Sequence, residues 1–246
     1  MSARLVARSL AIQGSWNYRT MQGAGLCFAL LPFLARLHRG EPRRLAEAVA
    51  RHSSFYNGHP YLSTVAIAAL ARMESEGASS QEMERFKQAV VSPLGSLGDQ
   101  LVWARIRPLC SMMAVLIFVA GGPWWLAVAL FLLMYNFGNL GLRIWGLRVG
   151  FREGRRVARA LIASPLRRLP DRLTIPLVVV VGAVLPPLAL SVSGTSGAGP
   201  LVLTGIALAL ALAFAGAWRP LAAARVAVLG LVAGSLTLLA LGSMVW

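Results

Sequence analysis

Few side chains in this chain are equipped for chemistry. Three histidines, His38, His52 and His59, and one aspartate set among glycines, Asp99, are the first to weigh as a hydrolytic or metal-binding set. A zinc hydrolase of the HExxH type needs two histidines one helical turn apart, and a GxSxG hydrolase needs its serine on a glycine-flanked turn. Neither pattern occurs, the Cys and His residues show no paired ligand spacing, and there is no P-loop. The residue types therefore predict no catalytic group, no metal and no cofactor in this chain. Cys27 and Cys110, both in apolar surroundings and far from any CxxC, read as small buried hydrophobes.

The remaining polar signals stand beside glycines and prolines. His59 lies in FYNGHPYL at 55–62, where Asn57, Gly58, His59 and Pro60 join a polar helix to an apolar segment. These groups either bond a ligand or cap the turn through exposed backbone N–H groups. Asp99 lies in VSPLGSLGDQLVWARIRP at 91–108. An acid entering a bilayer costs roughly 2.5–3.5 kcal/mol, so it faces a polar path or a partner; an ion pair with Arg105 or Arg107, or a helix cap, is the structural alternative. Gln22 in MQGAG repeats the theme of a polar side chain among glycines. Glycines let backbone groups approach a small hydroxyl-rich ligand such as a sugar. His38 and His52 stand beside arginines on polar helices and read as solvated or interfacial.

The elements that must position these residues are those of a membrane protein. The 246 residues are 57% hydrophobic and 13% charged, against about a quarter charged in ordinary soluble domains. The formal charge of +15 suggests nucleic acid at first sight, but its distribution argues otherwise: after Asp171 there is no acid and the only bases are Arg172, Arg219 and Arg225. Leu109 to Leu142 is free of charge and broken by Gly121-Gly122-Pro123. A span needs only about 20 residues, so two limbs are expected, the first, Leu109 to Ala120, short enough to be re-entrant. Nine arginines from Arg143 to Arg172 form the most basic stretch and the best cytoplasmic anchor. From there Leu173 to Val192 runs outward with a break at Pro186-Pro187, SGTSGAG turns at 193–199, Pro200 to Trp218 returns, and Val226 to Trp246 crosses again, which leaves the C-terminus extracytoplasmic.

The first hundred residues alternate interrupted apolar segments, Met21 to Leu37 and Pro60 to Ala71, with two polar helices. Glu41 to Phe55 carries Leu45, Val49 and His52 on one side. Ser79 with Glu82 makes a capping box for a helix bearing Met83, Phe86 and Val90. Short, glycine- or proline-interrupted apolar segments are what transporters place around a substrate. Arg8 and Gln13 leave no h-region for a cleavable signal peptide.

Together, SWNYRTMQGAGLCFALLPFL (15–34), FYNGHPYL, MESEGA (73–78), PLGSLGDQLVWARIRP (93–108) and VGFREG (149–154) resemble, in order and spacing, the IID membrane component of mannose/fructose/sorbose-family phosphotransferase systems. The resemblance covers about residues 9–160, and the hydrophobic tail fits in general character only. It implies that the chain pairs with a second membrane subunit, IIC, to translocate a hexose, while soluble IIA and IIB domains relay phosphate to the sugar. It also implies a sugar pathway between IIC and IID, to which Gln22, Asn57, His59 and Asp99 carry over as substrate-binding residues. Trp16 and Trp103 serve as packing or interface anchors.

Departures from the family pattern adjoin these positions. Gly58 stands where Thr is usual, Val91-Ser92 where a Met-Gly pair is usual, Gly95-Ser96 for Ala-Gly, and Gln100 for Ser. They bear on which sugar is taken.

The expectation is thus an all-α, multi-pass inner-membrane protein. Residues 1–172 form a core of amphipathic helices and broken or re-entrant segments, and residues 173–246 form a C-terminal bundle of transmembrane helices. It is not an enzyme by itself; its partners are IIC, the cytoplasmic IIA and IIB, the hexose and membrane lipids, with no nucleic acid. Two rivals remain: a divergent, non-transporting scaffold or sensor of the phosphotransferase system, and a stand-alone ion-coupled transporter.

Overall fold

Helix α4, Ser63–Ser75, is buried along almost its whole length, which fixes the centre of the first half of the chain. The computed structural model describes residues 3–193, and the expected turn at 193–199 and the two spans after it lie outside the described residues, apart from Ser193 itself. The other elements are α1 (Ala3–Ser9), α2 (Gly23–Leu37), α3 (Pro42–His52), α5 (Ser80–Gly98), a π-helical stretch (Asp99–Ile106), α6 (Arg107–Val119), α7 (Trp124–Glu153), α8 (Val157–Ala163) and α9 (Leu169–Ser193), with two short 3₁₀ turns flanking α8. Among the described residues there are no strands, only isolated bridges at Asn17–Met21 and Met21–Tyr56.

Local chemistry sets these limits. Pro42 starts α3, where its missing N–H is not needed. Ser79 and Glu82 form the expected capping box of α5: the Ser79 hydroxyl accepts from the Glu82 N–H, and the Ser79 N–H donates to the Glu82 carboxylate. Helix α4 ends at Gly77 (φ 70°), with Gly77 N–H donating to Glu74 O and Ala78 N–H to Met73 O, a Schellman motif. The same pair of bonds ends α6: Gly121 (φ 84°) donates to Phe118 O and Gly122 to Ile117 O. Gly121-Gly122-Pro123 therefore does divide the long apolar run, and α7 starts directly behind it.

Packing separates two units. The first comprises residues up to Val102 with Asn136–Arg167, and the second, as far as it is described, comprises Trp103–Tyr135 with the chain from Arg168. In the first, α4 sits among α1, α2, α5 and the C-terminal part of α7. The contact with α7 is a glycine seam. A Cβ on Gly146 would lie 2.3 Å from Thr64 Oγ1, one on Gly150 2.3 Å from Val65 O, and one on Gly154 3.0 Å from Arg72 Cδ. Gly146 and Gly150, four apart, lie on one helical face and let the backbones close up, while Gly154 (φ 53°) stands in the turn behind α7 against the Arg72 side chain; VGFREG is thus a packing signature. In the second unit α6 packs along α9, and Arg105 Nε donates to Thr174 Oγ1 at 2.8 Å.

Among the described residues two helical stretches are long and apolar enough to cross a membrane, Ser80–Val119 (40 residues) and Trp124–Leu185 (62 residues), the second interrupted at Ser164, whose backbone is extended (ψ 142°). The limb Leu109 to Ala120 is the end of the first run. Its shortness in the sequence reflects where Arg105 and Arg107 stand, and the helix itself begins at Ser80. Nor does the helix pattern break at Pro186-Pro187, because α9 continues to Ser193. Along α7, Trp124 (69% exposed), Leu133 (70%) and Phe137 (84%) face outward, as a lipid- or subunit-facing helix requires.

Candidate functional site

The polar centre of the first unit is built where two irregular segments meet ahead of their helices. Asn17 folds the first of them: its Oδ1 accepts from the N–H groups of Arg19 (3.0 Å) and Thr20 (2.9 Å). Met21 consequently takes φ 51°, a conformation uncommon for any residue but glycine. The second segment pairs with it, Tyr56 N–H donating to Thr20 O and Gln22 N–H to Tyr56 O at 2.8 Å. Gln22 and Asn57 are thereby held on adjoining strands of chain. Gln22 is 3% exposed, and its Oε1 has no hydrogen-bond partner among the described residues. A buried acceptor left open is costly, and a water or ligand is the usual reason. Asn57 is exposed.

His59 is buried and caps its own turn. Its Nδ1 accepts from Tyr61 N–H at 3.3 Å, and its carbonyl accepts from Ser63 N–H and Oγ. Burial, and then the charge of Arg143, lower its pKa to about 4, so the ring is neutral near pH 7. His59 thus bonds a backbone N–H within its own turn, while α4 itself starts behind Leu62 with no side-chain cap. The ring lies on Gly98, where a Cβ would meet His59 Cγ at 2.1 Å. Asp99 follows directly. It is exposed, makes no ion pair among the described residues, and opens the π-helical stretch, a distortion frequent at functional sites. The pairing with an arginine considered for it is not formed. Nor does every glycine admit a ligand: Gly98 is filled by the imidazole, while Gly95 has open space. From Gln22 to Tyr56, along 56–59 to the His59 ring, and across to Gly98-Asp99, the four residues lie on one connected path.

Beneath this path runs a buried network that the sequence reading passed over. Tyr56, fully buried, donates to Ser63 Oγ at 3.0 Å, and burial raises its pKa. A Cβ on Gly58 would stand 2.5 Å from the Tyr56 hydroxyl, so a larger residue there requires the tyrosine to move. Arg143 is also buried. It donates to Ser9 O and Oγ and to Asn139 Oδ1, with its guanidinium 5.0 Å from the Tyr61 ring. It is thus an internal tie between α7 and α1 and not a solvated flanking charge.

His52, expected at a solvated or interfacial position, is instead an internal residue. It is fully buried, and its Nε2 lies 2.7 Å from Glu74 Oε1. Arg51 reaches the same oxygen at 2.7 Å, and His38 Nε2 lies 3.7 Å from Glu74 Oε2. Burial lowers the His52 pKa against the opposing hydrogen bond from Glu74. For Glu74 burial acts upward, but the hydrogen bonds and charges of His52 and Arg51 outweigh it and the net shift is downward. Lys87, 1% exposed, donates to Arg51 O (3.0 Å) and Ser54 Oγ and pairs with Glu84 at 2.7 Å. A signal was present: His52 shares a face with Leu45 and Val49, and Lys87 with Met83 and Val90. Among the described residues no group of three or more His, Cys, Asp or Glu is placed to hold a metal ion.

Described residues that are helical without strands, with two apolar stretches of spanning length among them and polar groups gathered at chain breaks, have the make-up of a membrane component. Residues 2–195 match the model of the mannose/fructose/sorbose-family phosphotransferase IID component, and the chain belongs to that family. It is 27% identical over 183 residues to the mannose-specific EIID component of Escherichia coli K12, covering 72% of this chain and 64% of that protein. It is 26% identical to the fructose permease IID component of Bacillus subtilis 168 (72% of this chain, 66% of that one) and 28% identical to the sorbose-specific EIID component of Klebsiella pneumoniae (67% and 61%). The matched stretch is thus less than two thirds of these relatives' length. Among solved structures, a chain described as a membrane protein superposes with TM-score 0.65 at 26% identity, covering 73% of this chain and 67% of that one. A chain in the cryo-EM structure of the mannose transporter ManYZ with microcin E492 superposes with TM-score 0.58 at 23% identity, over 98% and 94%, and shares the fold.

Proposed function

We propose that this IID component lies in the cytoplasmic membrane as a multi-pass subunit paired with a IIC subunit, and that the pair passes a hexose inward as a IIB partner phosphorylates it. IIA supplies the phosphate to IIB. Gln22 and Asn57 bond sugar hydroxyls as both donor and acceptor, Asp99 accepts from two hydroxyls, and His59 holds the turn between them. Coupling is chemical: phosphate traps the product by charge, so this chain needs only to expose the sugar to each side in turn. The observation that carries the reading is the Gln22 Oε1, buried yet open, at one end of a path whose other end is the exposed carboxylate of Asp99.

The experiment is labelled hexose uptake, with detection of sugar phosphate, in cells expressing the chain with and without IIC. Uptake is expected only with IIC. Asp99→Ala is expected to abolish it at unchanged membrane level. Normal uptake by that variant removes Asp99 from the site. Uptake without IIC supports an ion-coupled carrier, and absence of uptake in every combination supports a scaffold or sensor.

A further inference from the structure

At the end of α7 the chain folds back into α8 and leaves a cavity of about 500 Å³ within the first unit, a volume in the usual range for a ligand site. Its walls are of two kinds. Trp145 and Val149 on α7 with Ala160, Ala163 and Pro165 form its apolar lining, and Arg152, Glu153, Arg156, Arg159 and Ser164 its polar lining. These charges are not equivalent. Arg152 is spent on Glu153 at 2.7 Å, and the neighbouring Arg155 is turned to Glu82 at 2.9 Å. Arg156 and Arg159 make no ion pair or hydrogen bond through their side chains among the described residues, although both are exposed to the same cavity.

We propose that this cavity binds the phosphodiester headgroup of an anionic phospholipid, with Arg156 and Arg159 on the phosphate and Trp145 and Val149 against its glycerol and upper acyl carbons. The guanidinium fork matches phosphate oxygens. A free phosphate would need no apolar wall. Phe137, Leu140 and Ile144 on α7 before the cavity are exposed, an apolar band followed by the exposed Arg148 and then by the arginines of the cavity. A tryptophan and unpaired arginines at the end of such a band mark interfacial depth, where basic pockets take lipid headgroups. The inference rests on the membrane placement proposed above, and it is read without sugar uptake, so failure of either is seen separately.

The test is native mass spectrometry of the full chain in a nonionic detergent, titrated with dioleoyl phosphatidylglycerol or dioleoyl phosphatidylcholine. One phosphatidylglycerol per chain is expected, with at least about tenfold preference over phosphatidylcholine. R156Q/R159Q is expected to weaken it roughly 30-fold, as two bases near a surface contribute, while the charge-matched control R43Q/R85Q leaves it unchanged. Ala163→Trp, which fills the cavity and keeps every charge, is expected to remove the preference. Equal binding of the two lipids overturns the proposal, as does equal weakening by R43Q/R85Q or an unaffected Ala163→Trp. Displacement by millimolar inorganic phosphate or glycerol phosphate overturns it too, in favour of a soluble anion.

Discussion

Gly98 and Gly95 stand three residues apart in one helix and have opposite meanings. At Gly98 the missing side chain is occupied by the His59 ring, and at Gly95 by nothing. Gly98→Ala is expected to lower stability by roughly 1–3 kcal/mol as the imidazole is forced aside, and Gly95→Ala to raise it by about 0.5–1 kcal/mol through helix propensity. Thermal unfolding of the purified protein separates the two. The departure at Gly58 gains a physical reason at this scale. With the Tyr56 hydroxyl bonded to Ser63 across that position, a threonine there would need a different tyrosine placement, so the turn bearing Asn57 and His59 is built on its own terms here. Glu74 on α4 is met by Arg51 and His52 of α3 through one carboxylate oxygen. Glu74→Ala leaves His52 buried beside Arg51 with no acceptor between them, and removing one partner of such a pair costs roughly 3–5 kcal/mol, checked by the same measurement.

Among the elements, α7 meets both α4 and α1. It presents a glycine seam to α4 and a buried arginine to α1. Gly150→Ala is expected to destabilise the first unit by about 1–3 kcal/mol, since the added carbon meets backbone and not a flexible side chain. Gly141→Ala, on the same helix with open space around it, is the neutral comparison. Loss of protease resistance in the first variant alone would verify the seam. Capping and punctuation at this scale were legible: the capping box at Ser79 and the stop at Gly121-Gly122-Pro123 depend on neighbours in sequence. The π-helical stretch after Gly98 was not, because helical hydrogen-bond register responds to packing and not to composition.

For the whole molecule, the buried histidines and Glu74 make stability depend on pH. His59 and His52 have folded pKa values below the ordinary 6.5, and that of His59 is about 4. The unfolded chain therefore takes up protons first as pH falls. Stability is fully present above about pH 6.5 and declines as pH drops towards 4. Glu74, held below its ordinary 4.5, contributes stability that is present above that value and is lost as pH falls through its lower folded pKa. A melting temperature that is level from pH 7 to 8 and falls steadily from 6.5 to 4 is the expected profile, shallower in His59→Asn. A profile flat down to pH 4 would contradict the burial of these rings.

By itself the sequence determined what depends on composition and on near neighbours. It specified a helical membrane component, the family blocks, the capping box at Ser79 and the glycine-proline break at 121–123, because hydropathy, glycine and proline act within a few residues of where they stand. Only the tertiary structure decided which polar groups are consumed inside the protein. His52, Arg143 and Lys87 look like surface charges in one dimension, and each is buried because a partner 22, 134 or 33 residues away meets it. Desolvation and pairing are properties of three-dimensional neighbourhoods, and so is the cavity between α7 and α8.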